Sequence, residues 1–180
     1  FAVCGLSGGG PYALACAYYL QDRVLAATIL GGVAPAVGVD AAKGGVSTLT
    51  RTLAPVMKHL RVPVNRLLLM LIRRMEPHAD SVVDLVARLM PPGDQLVFED
   101  PAIREMFLDD LLLASKHQMQ AMLHDTVVFG RDWGFELADI NTPVYLLYGD
   151  ADNIVPLRHG EHMARRLPNA ELRVRAGEGH

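Results

Sequence analysis

Hydrophobic positions follow two regimes along the chain. Short continuous apolar runs occupy both ends, and 3.6-residue periods fill the middle. Residues 1–5 form an apolar run that stops at Gly5-Leu6-Ser7-Gly8-Gly9-Gly10. The Ala-rich stretch 11–20 follows, with Tyr12, Cys16 and Tyr19 at helical spacing. This predicts a strand, a tight turn and a helix with Pro11 in its first turn. Residues 24–30 form a second apolar run with β-branched members, bounded by Arg23 and Gly31, which predicts a buried parallel strand. Helical periods then predict helices at 47–60, 64–75, 81–90, 101–115 and 117–128. Asp100 before Pro101 is an N-cap and first-turn proline, and Pro91-Pro92-Gly93-Asp94 predicts a break. Strand character returns at 143–148, followed by a helix at 159–167 and a last strand at 171–175.

The order β-α-β, helical block, β-α-β argues for an α/β fold with a parallel sheet. A block of about 90 residues is far too long for an ordinary crossover loop. It is therefore expected to be an inserted helical cap, dividing the chain into core 1–35, cap 36–129 and core 130–180. The chain starts on Phe1, already inside a strand pattern, and so reads as a piece of a longer protein.

Composition narrows the function. With 180 residues, 51% apolar and 21% charged, the chain can bury a core. A net charge of −3 without a basic run excludes the usual nucleic-acid binder and a polybasic membrane patch. No apolar run reaches the roughly 20 residues needed to span a bilayer. The two cysteines, Cys4 and Cys16, do not make a disulfide scaffold, and they suit a reducing, cytoplasmic location. Nothing indicates an oligomeric state.

Gly5-Leu6-Ser7-Gly8-Gly9 matches G-x-S-x-G between a strand and a helix. A nucleophile at the apex of such a turn needs small neighbours, and Gly5, Gly8 and Gly9 are expected to supply them. The Gly8 amide would head the helix, where an oxyanion can be held. The competing reading is a phosphate-binding turn, since Gly8-x-Gly10-x-x-Ala13 fits a dinucleotide fingerprint. That motif wants a carboxylate after the next strand, where Leu30-Gly31-Gly32-Val33 stands instead. Two further elements follow strands: Gly149-Asp150-Ala151-Asp152-Asn153-Ile154-Val155-Pro156 and Gly177-Glu178-Gly179-His180. Ser, acid and His thus appear in the order Ser…Asp…His, each after a strand.

On these motifs the whole chain resembles the C-terminal part of an α/β-hydrolase-fold serine hydrolase, from nucleophile elbow to catalytic histidine. The family's Gly-x-x-Asp-x-x-x-Pro pattern falls on Gly149, Asp152 and Pro156, and its Gly-x-Gly-His on residues 177–180. The run Trp133-Gly134-Phe135-Glu136-Leu137 is also similar to bacterial members. The resemblance implies the α/β-hydrolase fold, a partial parallel sheet with a cap between the second and third strands of this chain. It implies Ser7 as nucleophile, Asp152 as acid with Asp150 as the alternative, His180 as base and Gly8 as oxyanion donor. The implied reaction is two-step acyl transfer on a small or medium apolar ester, thioester or lactone, with no metal and no organic cofactor. The substrate would be a small molecule with an apolar acyl or alcohol group. Other triad chemistries on the same fold are prolyl-type aminopeptidase, C–C bond hydrolase and cofactor-free haloperoxidase. A non-catalytic binder is the alternative from another class. In the family, strands before the elbow complete the sheet, and a loop there gives the second oxyanion amide. Losing one such donor costs about 10²–10³ in rate, so these 180 residues alone are expected to be weakly active or inactive. Their first strand is expected to leave an edge prone to aggregation.

Other polar positions read more plainly. His159 and His162, three apart on a helix, are expected at the surface rather than on a metal. His117 and His124 are expected to be packed or solvated. Met57, Met70, Met75, Met90, Met106, Met119 and Met122 lie in the helical block, as core packing or as walls of an apolar pocket. Glu76, Glu99, Glu105, Asp109 and Asp110 are expected on solvated helix faces, and Asp94 in a turn.

Overall fold

The computed structural model describes residues 1–42, 78–116 and 120–180, with isolated positions between 52 and 74. Four strands form one sheet in the order β1 (Ala2–Leu6), β2 (Ala26–Leu30), β3 (Val144–Gly149) and β4 (Ala170–Arg175). All three pairings are parallel. Leu6 pairs with Leu30, Leu30 with Leu147, and Gly149 with Arg175, so the C-terminal strand ends come out side by side. In open α/β sheets that edge is where ligand chemistry sits.

Helix α1 (Gly10–Tyr19) follows β1, and α6 (Arg158–Ala164) joins β3 to β4. Both pack on one face of the sheet. That face carries the fully buried Ile29, Leu146 and Tyr148, covered by Leu14 and Ala17 of α1 and Met163 of α6. Close approach needs glycine at two points. A Cβ on Gly10 would lie 2.9 Å from Gly32 Cα, and one on Gly160 would lie 2.6 Å from the Tyr148 ring.

Four helices between β2 and β3 are described: α2 (Ala79–Leu89), α3 (Pro92–Val97), α4 (Pro101–Lys116) and α5 (Gln120–Phe129). The N-cap at Asp100 is present, its carboxylate accepting from the Ala102 amide at 2.8 Å. The expected break at 91–94 is shorter than predicted. Pro91 is extended, but Pro92 opens α3 as a first-turn proline, where its missing N–H costs nothing. The predicted helices 47–60 and 64–75 lie outside the described residues apart from isolated positions, as do His117, Met57, Met75, Met119 and Glu76. Among the described residues no helix is long and apolar enough to cross a membrane.

The segment leading into β3 is pinned by aromatic packing. Phe135 stacks on Tyr18 of α1 with ring centres 5.0 Å apart, and Trp133 lies 5.9 Å from Phe135. This accounts for the Trp133–Leu137 run, with Leu137 buried beneath it.

Two expectations about side chains are corrected. His159 is fully buried, not at the surface, and its Nδ1 accepts from the Ala34 amide at 3.2 Å. His162 is half-buried and its Nε2 bonds the Asp40 carbonyl at 2.8 Å. The reason is the helix period. His159, Met163 and Leu167 lie four apart and share the inward face. Met70 and Met106 stand exposed, so neither lines an enclosed pocket here. Glu99, Glu105, Asp109, Asp110 and His124 are exposed.

Candidate active site

The turn after β1 places Ser7 in the left-handed region at φ 51°, the single non-glycine residue with positive φ among the described residues. Such backbone is strained for an L-residue by about 1–2 kcal/mol and recurs where a side chain must be presented. Residues Ser7–Gly9 form a 3₁₀ turn that runs directly into α1. The expected glycine roles need correction. A Cβ on Gly5 would collide with the Gly9 carbonyl, and Gly10 is equally constrained against Gly32. Gly9 has open space around it, and Gly8 has only ordinary contact with Phe129 at 3.5 Å. The tight positions are thus the last strand glycine and the first helical one.

Beyond β3 the chain turns at Asp150-Ala151-Asp152. The Asp152 side chain is wholly buried, and its Oδ1 accepts the amides of Ile154 at 2.8 Å and Val155 at 2.7 Å. Its Oδ2 lies 2.7 Å from His180 Nδ1. Burial pushes the Asp152 carboxyl up, but the bonds from His180, Val155 and Ile154 outweigh it and hold the group below its ordinary value. With Nδ1 donating to Asp152, the neutral imidazole keeps Nε2 free to accept a proton. Asp150 is placed elsewhere. Its carboxylate accepts from the Gly177 amide at 2.7 Å and braces the loop backbone.

The acid loop and the histidine loop are laced together. The Asp150 amide donates to the Arg175 carbonyl at 3.1 Å, and the Ala151 amide to the Glu178 carbonyl at 3.0 Å. A Cβ on Gly149 would collide with that Glu178 carbonyl.

Two residues of the site were not singled out from sequence. Gly31 has φ 54°, and a Cβ there would lie 3.0 Å from His180 Cε1, so the imidazole rests directly on its backbone. The Gly31-Gly32 pair after an apolar strand was the available signal. Asp94, in the first turn of α3, accepts the amides of Gly179 and His180, each at 3.1 Å. No local pattern points to that contact, which spans 85 residues for Gly179.

Ser7 and Gly31 each follow one of the register partners Leu6 and Leu30. The elbow and the glycine under the imidazole therefore leave the ends of neighbouring strands. Among the described residues the Ser7 hydroxyl makes no hydrogen bond to His180. Such bonds are often long before substrate binds. A cavity of about 170 Å³ opens beside His180, lined by Leu6, Leu30, Gly31, Gly149, Glu178 and His180 but not by Ser7. Among the described residues no group of three metal-ligating side chains converges.

The family model described as serine aminopeptidase, S33 (Hydrolase_4) matches residues 1–180. No curated protein sequence matches the chain. A hydrolase from Pseudomonas aeruginosa PA01 is similar at TM-score 0.63 and 18% identity, over 99% of this chain and 57% of that one. An α/β hydrolase fold protein from Nakamurella multipartita is similar at TM-score 0.61 and 21% identity, over 98% and 61%. The esterase EaEST from Exiguobacterium antarcticum is similar at TM-score 0.59 and 16% identity, over 99% and 59%. The chain thus spans about three fifths of the length of these structures. Its fold is the α/β-hydrolase fold, in part, and the chain belongs to the serine aminopeptidase, S33 family of α/β hydrolases.

Proposed function

We propose that the chain carries the reaction centre of a serine hydrolase that cleaves small or medium apolar esters, thioesters or lactones. The observation that carries this reading is the part-buried Asp152–His180 bond, at the sheet edge that also carries the strained Ser7 elbow. Ser7 Oγ attacks the substrate carbonyl carbon while His180 Nε2 takes the hydroxyl proton. Asp152 holds the imidazole in that tautomer and stabilises the imidazolium. The Gly8 amide, at the head of the turn, donates to the developing oxyanion. The imidazolium then returns its proton to the leaving group and an acyl-Ser7 ester forms. Water, deprotonated by His180, attacks that ester and releases the acid and free Ser7. Every proton in this cycle moves through His180, so the cycle uses no metal or organic cofactor.

Residues 36–129 serve in this reading as a cap over the strand ends, and they set the apolar acyl or alcohol site. The esterase neighbour supports small-molecule ester chemistry. A second reading, the same triad acting on a peptide with a free N-terminal amine, is favoured by the family's description. It needs a carboxylate beside the scissile bond. Of the acids singled out from the sequence for that role, Glu99, Glu105, Asp109 and Asp110 are exposed instead, which keeps the ester reading first. The free thiols Cys4 and Cys16 suit the cytoplasm.

The test is covalent labelling by a serine-directed fluorophosphonate, read by intact mass and peptide mapping. The folded full-length protein should be labelled at Ser7, and Ser7→Ala should abolish the adduct. A folded full-length protein that takes no label would remove the hydrolase reading and leave a ligand-binding role.

A further inference from the structure

We propose that Asp94 is a positioning residue for His180, and that through it the helices between β2 and β3 control where the base sits. The proposal rests on the reading of His180 as the general base.

Both oxygens of Asp94 are engaged. Oδ1 accepts the Gly179 amide and Oδ2 the His180 amide, each at 3.1 Å. Bonds to an ionised acceptor are roughly twice as strong as neutral ones, and a two-point contact fixes orientation as well as position. The fit is close on both sides. A Cβ on Gly179 would collide with the Asp94 carboxylate, and one on Gly93 would lie 3.0 Å from the Gly177 carbonyl. The opening of α3 and the histidine loop are therefore shaped to each other over Gly93–Asp94 and residues 177–180.

The amides of the histidine loop divide between two anchors. Asp150 holds Gly177 from the exposed acid loop after β3. Asp94 holds Gly179 and His180 from α3. The side-chain bond to Asp152 and the rest on Gly31 fix the far side of the ring. Without Asp94 the last two residues of the loop lose their backbone tether, and the imidazole is steered by its ring contacts alone. A displacement of about 1 Å at a catalytic group can cost up to about 100-fold in rate. Pro91 and Pro92 stand just before the clamp, so α3 enters at a stiff corner that fixes where Asp94 stands.

The experiment uses the full-length protein and its Asp94→Ala and Asp94→Asn variants, with Glu99→Ala, an exposed residue on the same stretch, as control. Steady-state hydrolysis of a short-chain p-nitrophenyl ester gives kcat and KM separately, and the fluorophosphonate gives the inactivation rate. Proton NMR reads the downfield Nδ1 proton of His180, and thermal melting reads folding. Asp94→Ala should lower kcat and the inactivation rate by about 10- to 100-fold, with KM within about twofold, and should broaden the Nδ1 resonance. Asp94→Asn keeps the shape and one acceptor, so it should fall between wild type and Asp94→Ala. Glu99→Ala should match wild type. Should Asp94→Ala fail to fold, the isosteric Asp94→Asn decides by the same readouts. An Asp94 variant that folds, keeps the sharp resonance and keeps kcat would overturn the proposal. If wild type neither hydrolyses esters nor takes the label, yet the resonance is lost in Asp94→Ala, the clamp stands and the hydrolase reading falls.

Discussion

His159 is a neutral imidazole locked inside the core. It is fully buried, Nδ1 accepts from the Ala34 amide, and Nε2 has no hydrogen-bond partner among the described residues. Burial, with Arg158 and His162 nearby, lowers its pKa from 6.5 to about 4. The unfolded chain binds the proton near the ordinary value, so between pH 6.5 and about 4 the unfolded state holds more protons than the native one. Stability from this group is complete above 6.5 and declines as the pH falls through that window, by up to about 3 kcal/mol. His162, also lowered by burial first, acts with the same sign. Asp152 is depressed below its ordinary value, so its contribution is present above the unfolded carboxylate pKa and is lost only as the pH falls through its lower folded value. Urea midpoints at pH 7, 5.5 and 4.5 should fall steadily in wild type, and the slope should shrink in His159→Gln. Equal slopes in both proteins would show that His159 is not the source.

At the scale of elements, the elbow separates what a motif states from what packing requires. G-x-S-x-G draws attention to the glycines around the serine, yet only some of them are sterically obligatory. Gly5→Ala drives a methyl into the Gly9 carbonyl, and Gly10→Ala drives one against Gly32 and Ile29. Each should destabilise by more than about 2 kcal/mol, because the obstruction is backbone or close-packed core. Gly9 has helical backbone at φ −74° and ψ −19°, with nothing within 4 Å of an added Cβ. Gly9→Ala should therefore be neutral or stabilise by about 0.4–1 kcal/mol. Denaturant melts of the three variants check this ordering, and a Gly9→Ala loss matching that of Gly5→Ala would contradict it. The same contrast explains what could be read from sequence. The four strands, the elbow and the Ser…Asp…His order were legible because each is a local pattern of period, glycine and proline. So was the N-cap at Asp100. His159 was misread because its helix was judged by residue type rather than by its four-residue stripe with Met163 and Leu167. Asp94 on the histidine loop was not legible, and the Gly31-Gly32 pair marked a tight turn without showing the imidazole above it. Both contacts join segments far apart in sequence, and nothing local in Asp94-Gln95 or Gly31-Gly32 encodes the partner.

At the scale of the whole molecule, the sheet is covered unevenly. The register sets Cys4, Thr28 and Tyr145 in one row, and Leu6, Leu30 and Leu147 in the next, all on the face opposite α1 and α6. Cys4 is exposed, Tyr145 is 43% exposed and Leu6 is 63% exposed. Parallel sheets occur almost only with both faces covered, and among the described residues this face is covered only in part. Strand β1 also pairs with β2 alone among the described residues, leaving its other edge of N–H and C=O groups open. An open parallel edge beside a bare apolar face is a template for further strand pairing. The matched structures are longer than this chain, which spans about three fifths of each. The 180 residues produced alone should therefore self-associate, with light-scattering mass rising with concentration and thioflavin binding growing on standing. The full-length protein, at equal concentration, should hold one mass. Charge placed on the bare face tests the cause. Tyr145→Lys with Leu6→Lys should slow association of the 180-residue chain, whereas Glu99→Lys in the exposed turn between α3 and α4 should not. A 180-residue chain that stays monomeric at high concentration would mean that the open edge and face are protected by the chain itself.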